Sequence, residues 1–313
     1  MSGRLPMVRI IANALIEAKT AEEKVKVLKK YDQDLLFKRI VSYAHNPLIH
    51  LGMEDFEPRT TVIGKEHGMG ISKFMHLPED IHQSNLTRKE ADFAINMVLS
   101  HINDEEVDLF LGILKKDLGL GLTLDIINEG WDNYIPPFPV MEHSEYNEEE
   151  ISKWQNIIIQ KFDFENHEKR VNIIVRNEKV EFRDTDGSVI EEFNEYGDQF
   201  KKLAQEGRIV FDSFWNGKKF VLFDSIRYDG FVEGSDNRLG YNWRYNGIEQ
   251  MWFLSKIDNP PWVCPEYMTV ASIADMKKEV TKLGKSCYLR SPSGTWHDGV
   301  TTDWQLVTPD DVS

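Results

Sequence analysis

Apolar residues recur every three or four positions through Met7 to Ala18 and Ala21 to Tyr31, the spacing that gathers them on one face of an α-helix. Thr20 followed by Glu23 has the form of a capping box for the second of these, and Thr87 with Glu90 repeats it before a periodic stretch from Ala91 to His101. Asn103 is the expected cap of a further helix ending near Lys116, where two lysines oppose the C-terminal dipole. Gly119 and Gly121 then break the pattern, and Pro136, Pro137 and Pro139 impose an extended exit.

Past Ile151 the period shortens. Asn156 to Gln160, Val171 to Val175 and Val180 to Arg183 are β-branched runs, the last followed by the turn signal Asp184-Thr-Asp-Gly187. Ile209 to Trp215 and Lys218 to Phe223 flank Asn216-Gly217, a strong short-range hairpin signal. A helix over Ala271 to Leu283 should precede a strand over Cys287 to Leu289. The pattern predicts a helical domain over residues 1–141, a charged linker over 142–150, and an α+β domain rich in antiparallel strands over 151–313.

Composition narrows the function classes. The chain has 313 residues, enough for two cores, and no apolar run long enough to span a bilayer. Its start lacks the apolar core and cleavage site of a signal peptide. Two cysteines, Cys264 and Cys287, are too few for a disulfide framework and read as buried thiols in a reducing cytoplasm, that of an infected host cell being the expected one. With 37 basic and 52 acidic residues the net charge is −15, and neither half is basic. Phosphate contacts come from Lys and Arg, so this balance argues against strong non-specific nucleic-acid affinity. The nine histidines show no metal-ligand spacing, and no metal site is expected.

Several motifs bring a known family into view. Phe37 to Gly52, then Phe110 to Asn128 with its continuation Trp131 to Met141, resemble the helical DNA-binding domain of phage-type ATP-dependent DNA ligases. Lys161-Phe-Asp-Phe164 stands where that family has Lys-x-Asp-Gly, whose lysine attacks the ATP α-phosphate. Phe211-Asp-Ser-Phe214 is similar to the Asp-Gly-Glu motif, Phe223 to Gly230 to the strand that stacks on adenine, and Lys285 to Trp296 to the strand opening with a metal-side Glu. A last strand, paired lysines in the family, should fall within Thr301 to Val307. The resemblance implies an all-helical ligase-type domain followed by a truncated antiparallel-sheet nucleotidyltransferase domain. It makes Lys161 and Asp163 the vestigial catalytic pair and Arg170, Phe223 and Arg290 the nucleotide-binding candidates. Lys115, Lys116, Gly121, Thr123 and Asn128 become the DNA-contact candidates.

The departures fall on the chemistry. Phe164 replaces the glycine that leaves backbone room beside the nucleotide. Phe214 replaces a glutamate, and Lys285 puts a cation where Mg²⁺ wants oxygen. Beyond Arg290 the chain has no Lys or Arg, and it stops at Ser313 where a family member would continue into an oligonucleotide-binding domain. Each electrostatic contact of this kind is commonly worth about 10²–10³ in rate, so their joint loss implies a pseudoenzyme. Gly119, Asp125 and Glu129 likewise stand where the family carries basic residues. On this reading no cofactor is expected, and ATP and Mg²⁺ belong only to the alternative in which Lys161 is still adenylated.

Blander readings stand beside these. Lys161 is also read as a solvated strand-end lysine, Asp224 and Asp229 as turn or strand-end residues, and Trp296 and Trp304 as core. The candidate partners are nicked or terminal duplex DNA, or a replication, repair or host protein, with no membrane. A third possibility is an acidic decoy of a DNA-binding protein.

Overall fold

The computed structural model describes residues 6–59, 67–83, 85–161, 169–176, 179–205, 207–236 and 238–313. The chain divides into two compact units, Met1–Pro137 and Phe138–Ser313.

The first unit is helical. Its helices are α1 (Met7–Glu17), α2 (Ala21–Lys30), α3 (Leu35–His45), α4 (His76–His82), α5 (Arg88–Leu99), α6 (Val107–Leu114) and α7 (Leu124–Gly130). Both expected capping boxes form: Thr20 and Glu23 at α2, Thr87 and Glu90 at α5. Asn103 caps no backbone amide. It begins a 3-10 turn, Asp104–Glu106, and donates to the buried Glu106 carboxylate instead. That carboxylate accepts from the Ile71 amide, so the acidic side chain, rather than Asn103, ties this turn into the core. The apolar faces of these helices meet around Ile11, Phe37, Ile40, Ile95, Phe110 and Ile113, all fully buried.

The second unit is antiparallel-rich. Its chain order is β1 (Met141–Glu145), α8 (Glu148–Ile151), β2 (Ile157–Lys161), β3 (Lys169–Arg176), β4 (Lys179–Arg183), α9 (Gly197–Ala204), β5 (Ile209–Trp215) and β6 (Phe220–Arg227). There follow α10 (Tyr228–Val232), β7 (Ser235–Asp236), α11 (Tyr241–Ser255), β8 (Trp262–Val263), β9 (Glu266–Val270), α12 (Ile273–Leu283), β10 (Cys287–Arg290), β11 (Trp296–His297) and β12 (Gly299–Val307). One sheet runs β1-β12-β10-β2-β9 and another β4-β3-β5-β6-β8, each antiparallel except at its β1/β12 or β6/β8 pair. The hairpin at Asn216-Gly217 forms as expected, with Gly217 at φ +82° and the Asn216 amide on the Lys219 carbonyl.

A further expectation gives way. Residues 142–150 are not a free linker. Met141 to Glu145 pair in parallel with β12, and Asn147 caps α8 by accepting from the amides of Glu149 and Glu150. Three glutamates in a first helical turn favour that turn, because they face the positive end of its dipole. The pattern also hides α11, the longest helix among the described residues. Its aromatic residues sit on both its buried and its exposed side, so no apolar stripe marks it.

Strand alternation sorts each sheet into two faces. Val171, Ile173 and Val175 of β3 pack with Phe182, Phe200, Phe211, Phe220 and Trp262 under α9 and α11. On β10, Cys287 and Leu289 pack with Met276 and Val280 of α12. The opposite faces carry the polar and aromatic residues that make the candidate site.

Candidate functional site

Arg290 and Trp304 are a cross-strand pair of β10 and β12, so they share one face of their sheet. The Arg290 guanidinium carbon lies 3.8 Å from the Trp304 ring centroid. From the other sheet, Phe223 of β6 lies 5.4 Å from Trp304 at 37° and 4.9 Å from Phe214 of β5 at 28°. Arg170 of β3 stands over Phe223 at 5.6 Å and over Trp304 at 5.3 Å. Arg170, Phe223 and Arg290, the three nucleotide-binding candidates, are thus brought together. They are brought together against one another.

Their charges are satisfied from within. Arg170 donates Nε to Asp212 at 3.0 Å and a second bond to its other oxygen at 2.5 Å. Arg244 of α11 holds both Asp224 oxygens, at 2.8 and 3.0 Å, and Arg290 approaches the same carboxylate at 3.7 Å. Three buried guanidiniums therefore share two carboxylates. Arg290 is 1% exposed, its Nε reaches Gln160 only at 3.5 Å, and its Nη2 has no hydrogen-bond partner among the described residues. Burial pulls its proton affinity below the usual arginine value, whereas Asp212 overcomes the same effect at Arg170 and raises it. The ring faces around Arg290 supply the remaining compensation, since a desolvated cation gains most from an aromatic quadrupole. Asp224 is no turn residue: fully buried in β6, it balances this charge. Asp229 is exposed at the start of α10, 3.4 Å from Arg208.

The geometry leaves little space for a nucleobase. A ring inserted between two others needs about 7 Å between them, twice the usual ~3.5 Å contact distance. The 4.9 Å and 5.4 Å separations on Phe223 fall short of that. Trp304 is core, as read from the sequence, and so is Trp296, stacked near Phe231.

Of the two catalytic candidates, Lys161 is among the described residues. Lys161 ends β2 with its side chain 35% exposed and its ammonium 3.6 Å from exposed Glu266 on the paired strand. Asp163 and Phe164 lie outside the described residues. Lys285 is exposed between the left-handed Gly284 that ends α12 and the start of β10. Among the described residues no group of three His, Cys, Asp or Glu side chains could hold a metal ion. Asp212 and Asp224 already face guanidiniums with their oxygens, so the described acids do not fit Mg²⁺. Both cysteines are free, and burial pushes each thiol up to about 12.

Of the DNA-contact candidates in the helical unit, Lys116 and Asn128 turn to the protein's own backbone, while Lys115, Gly121 and Thr123 are exposed. Lys116 adopts φ +58°, and its ammonium donates to the carbonyls of Tyr43, Asn46 and Ile49 at 2.7–3.0 Å. It closes the C-terminal end of α3, where helix carbonyls lack partners, instead of facing a phosphate. Asn128 clips the Ile135 backbone through both its side-chain atoms. Thr123 caps α7 by accepting from the Ile126 amide. Lys115 and Gly121 are exposed, beside exposed Asp117, Asp125 and Glu129.

Sequence reasoning missed Asp212, Arg244 and Gln160. A usable signal was present for the first: an aspartate inside the strongly apolar strand Ile209–Trp215 requires a buried cation.

No family model matches the chain, and no curated protein matches it. Among solved structures it is similar to "Pmar-Lig_PreS3", at 20% identity over 97% of this chain and 78% of that one, with a TM-score of 0.47. It is also similar to the ATP-dependent DNA ligase of bacteriophage T7 in complex with ATP, at 11% identity over 55% and 69%, TM-score 0.44. The Chlorella virus DNA ligase-adenylate follows at 10% identity over 54% and 68%, TM-score 0.38.

Proposed function

We propose that this chain is a ligase-like protein that no longer transfers nucleotides and serves as a binding module for a protein partner in DNA metabolism. One observation carries the reading. The residues that would grip ATP are engaged with each other, Phe223 between Phe214 and Trp304 and the arginines on Asp212 and Asp224. Binding a nucleotide there would first require separating stacked rings and stripping partners from buried charges, each a cost of several kcal/mol. Duplex DNA is the weaker candidate partner, because the Lys116 ammonium is engaged by backbone carbonyls and the neighbouring Asp117, Asp125 and Glu129 are acidic.

The test is incubation with α-phosphate-labelled ATP and Mg²⁺ or Mn²⁺. The unmodified chain should take up no covalent label. Label that appears and is lost in Lys161→Ala would overturn the reading. A gel shift on nicked, blunt and intact duplex at low salt should retain none of them, and a salt-sensitive complex with nicked DNA alone would return DNA to first place.

A second reading keeps Lys161 as an adenylated nucleophile. It is favoured by the partly exposed ammonium, which among the described residues meets an exposed carboxylate at 3.6 Å.

A further inference from the structure

A cleft of about 300 Å³ opens at one end of β3 and β5, where Lys169 and Trp215 are cross-strand partners. Its other walls are Glu192, Phe193, Glu195 and Tyr196, from the turn that precedes α9. That turn, Glu191–Tyr196, is a 3-10 helix, in which side chains three residues apart eclipse one another. Glu192 is therefore aligned with Glu195, and Phe193 with Tyr196, giving a line of carboxylates beside a line of rings. Phe193 is buried in the core, its centroid 5.0 Å from that of Trp215. Trp215 and Tyr196, 6.0 Å apart, are only half-buried and face the cleft.

The charges of the cleft are unbalanced. Lys169 is turned to Asp184 at 3.3 Å, which leaves it no surplus to offer. Glu192 and Glu195 are exposed and have neither a hydrogen bond nor an ion pair among the described residues. Elsewhere in this unit the chain completes such a set of groups itself. Arg208 lies 4.9 Å from the Tyr228 ring centroid and 3.4 Å from the Asp229 carboxylate. At Tyr196 and Trp215 the rings and carboxylates are present, but no Lys or Arg among the described residues stands over either ring.

We propose that this cleft takes an arginine side chain presented by a partner protein. The inference gives the partner chemistry of the protein-binding reading above and rests on that half of it, not on the loss of nucleotide transfer. A guanidinium is planar and weakly hydrated, so it can stack on an aromatic face while donating to two carboxylates in its own plane. An ammonium brings the charge without the plane, and an anion would meet two glutamates. The net charge of −15 draws a basic segment towards the chain in the first place. One exposed cation–π contact with two exposed ion pairs implies a Kd on the order of 10 mM for the isolated side chain.

Arginine capped at both ends, as the Nα-acetyl methylamide, is the probe. It is titrated into the ¹⁵N-labelled full chain to about ten times that Kd at constant ionic strength. The Trp215 indole and the amides of Glu192 to Tyr196 should shift and saturate. Capped citrulline, the same shape without the charge, should leave them in place, and capped lysine should bind at least about threefold more weakly. Free arginine adds its own carboxylate to an acidic site and should also bind more weakly. Glu192→Gln with Glu195→Gln alters two exposed side chains, so the thermal midpoint should hold while affinity falls at least about threefold. Absence of a saturable shift overturns the proposal, as does an equal response to citrulline or lysine, or affinity undiminished in the double variant. Tighter binding of free arginine would make this a small-molecule site and overturns it too. Covalent label from ATP would sink the loss of nucleotide transfer and leave these shifts unchanged, so the two readings fail separately.

Discussion

The helical unit and the mixed unit each engage some of their expected ligand contacts internally, Lys116 and Asn128 in the first and Arg170, Phe223 and Arg290 in the second, but by different physics. Around α3 the device is a surface cation: Lys116 collects three carbonyls that water could otherwise solvate. Between the strands of the second unit it is a buried network, in which Arg170, Arg244 and Arg290 depend on Asp212 and Asp224. The first arrangement loses a modest contact if broken. The second would leave charges stranded in low dielectric, which is far more costly. The helical unit is therefore the place where ligand-facing residues could be restored at small cost. The mixed unit is locked.

The largest test of that contrast is Asp224→Ala. It leaves Arg244 and Arg290 without their carboxylate and should cost about 3–5 kcal/mol in urea unfolding. A loss below about 1 kcal/mol, as for an exposed pair, would erase the distinction between the two units.

Acid should act next, and on the helical unit. His45 is half-buried, with its Nε2 shielded from solvent and unpartnered among the described residues. Burial, then the nearby Lys116 ammonium, lowers its pKa to about 4 from an ordinary 6.5. The unfolded chain thus binds a proton that the folded chain refuses between those values. Stability is full above pH 6.5 and falls as pH drops toward 4, by about 2–3 kcal/mol at 1.36 kcal/mol per unit. Comparing the pH dependence of unfolding with that of His45→Gln checks this, since the variant should flatten the slope. An unchanged slope would mean that another group carries it.

Lys116→Met should cost about 1–2 kcal/mol, the range for charge-assisted bonds at a half-exposed site. Amide exchange should quicken at the C-terminal turn of α3 and leave β6 unaffected. Smallest is Lys285→Glu, which reverses the charge at an exposed position. Stability should stay within about 0.5 kcal/mol, and the labelled-ATP assay should remain blank. A gain of label would show that the mixed unit is not locked.

What was legible in the sequence was local. The capping boxes at Thr20 and Thr87, the Asn216-Gly217 turn and the alternation in β3 and β5 rest on neighbours a few residues apart. The order of the ligase-like motifs was readable for the same reason. The helix α11 was not, because its two faces are both aromatic and its inward face is defined only by β6 beneath it. Asp224 read as a turn residue because the partner that makes it structural, Arg244, lies twenty residues away on another element. Lys116 read as a phosphate contact because its carbonyl partners come from 67 to 73 residues earlier.

The sequence by itself determined the helical and stranded halves and the turns between their elements. Only the tertiary structure decided that Arg170, Phe223 and Arg290 meet each other around Trp304. Residue type states which interactions a side chain can make. Which of them it makes depends on what long-range packing brings within a few ångströms, and here that packing brought aromatic rings and carboxylates from the protein itself.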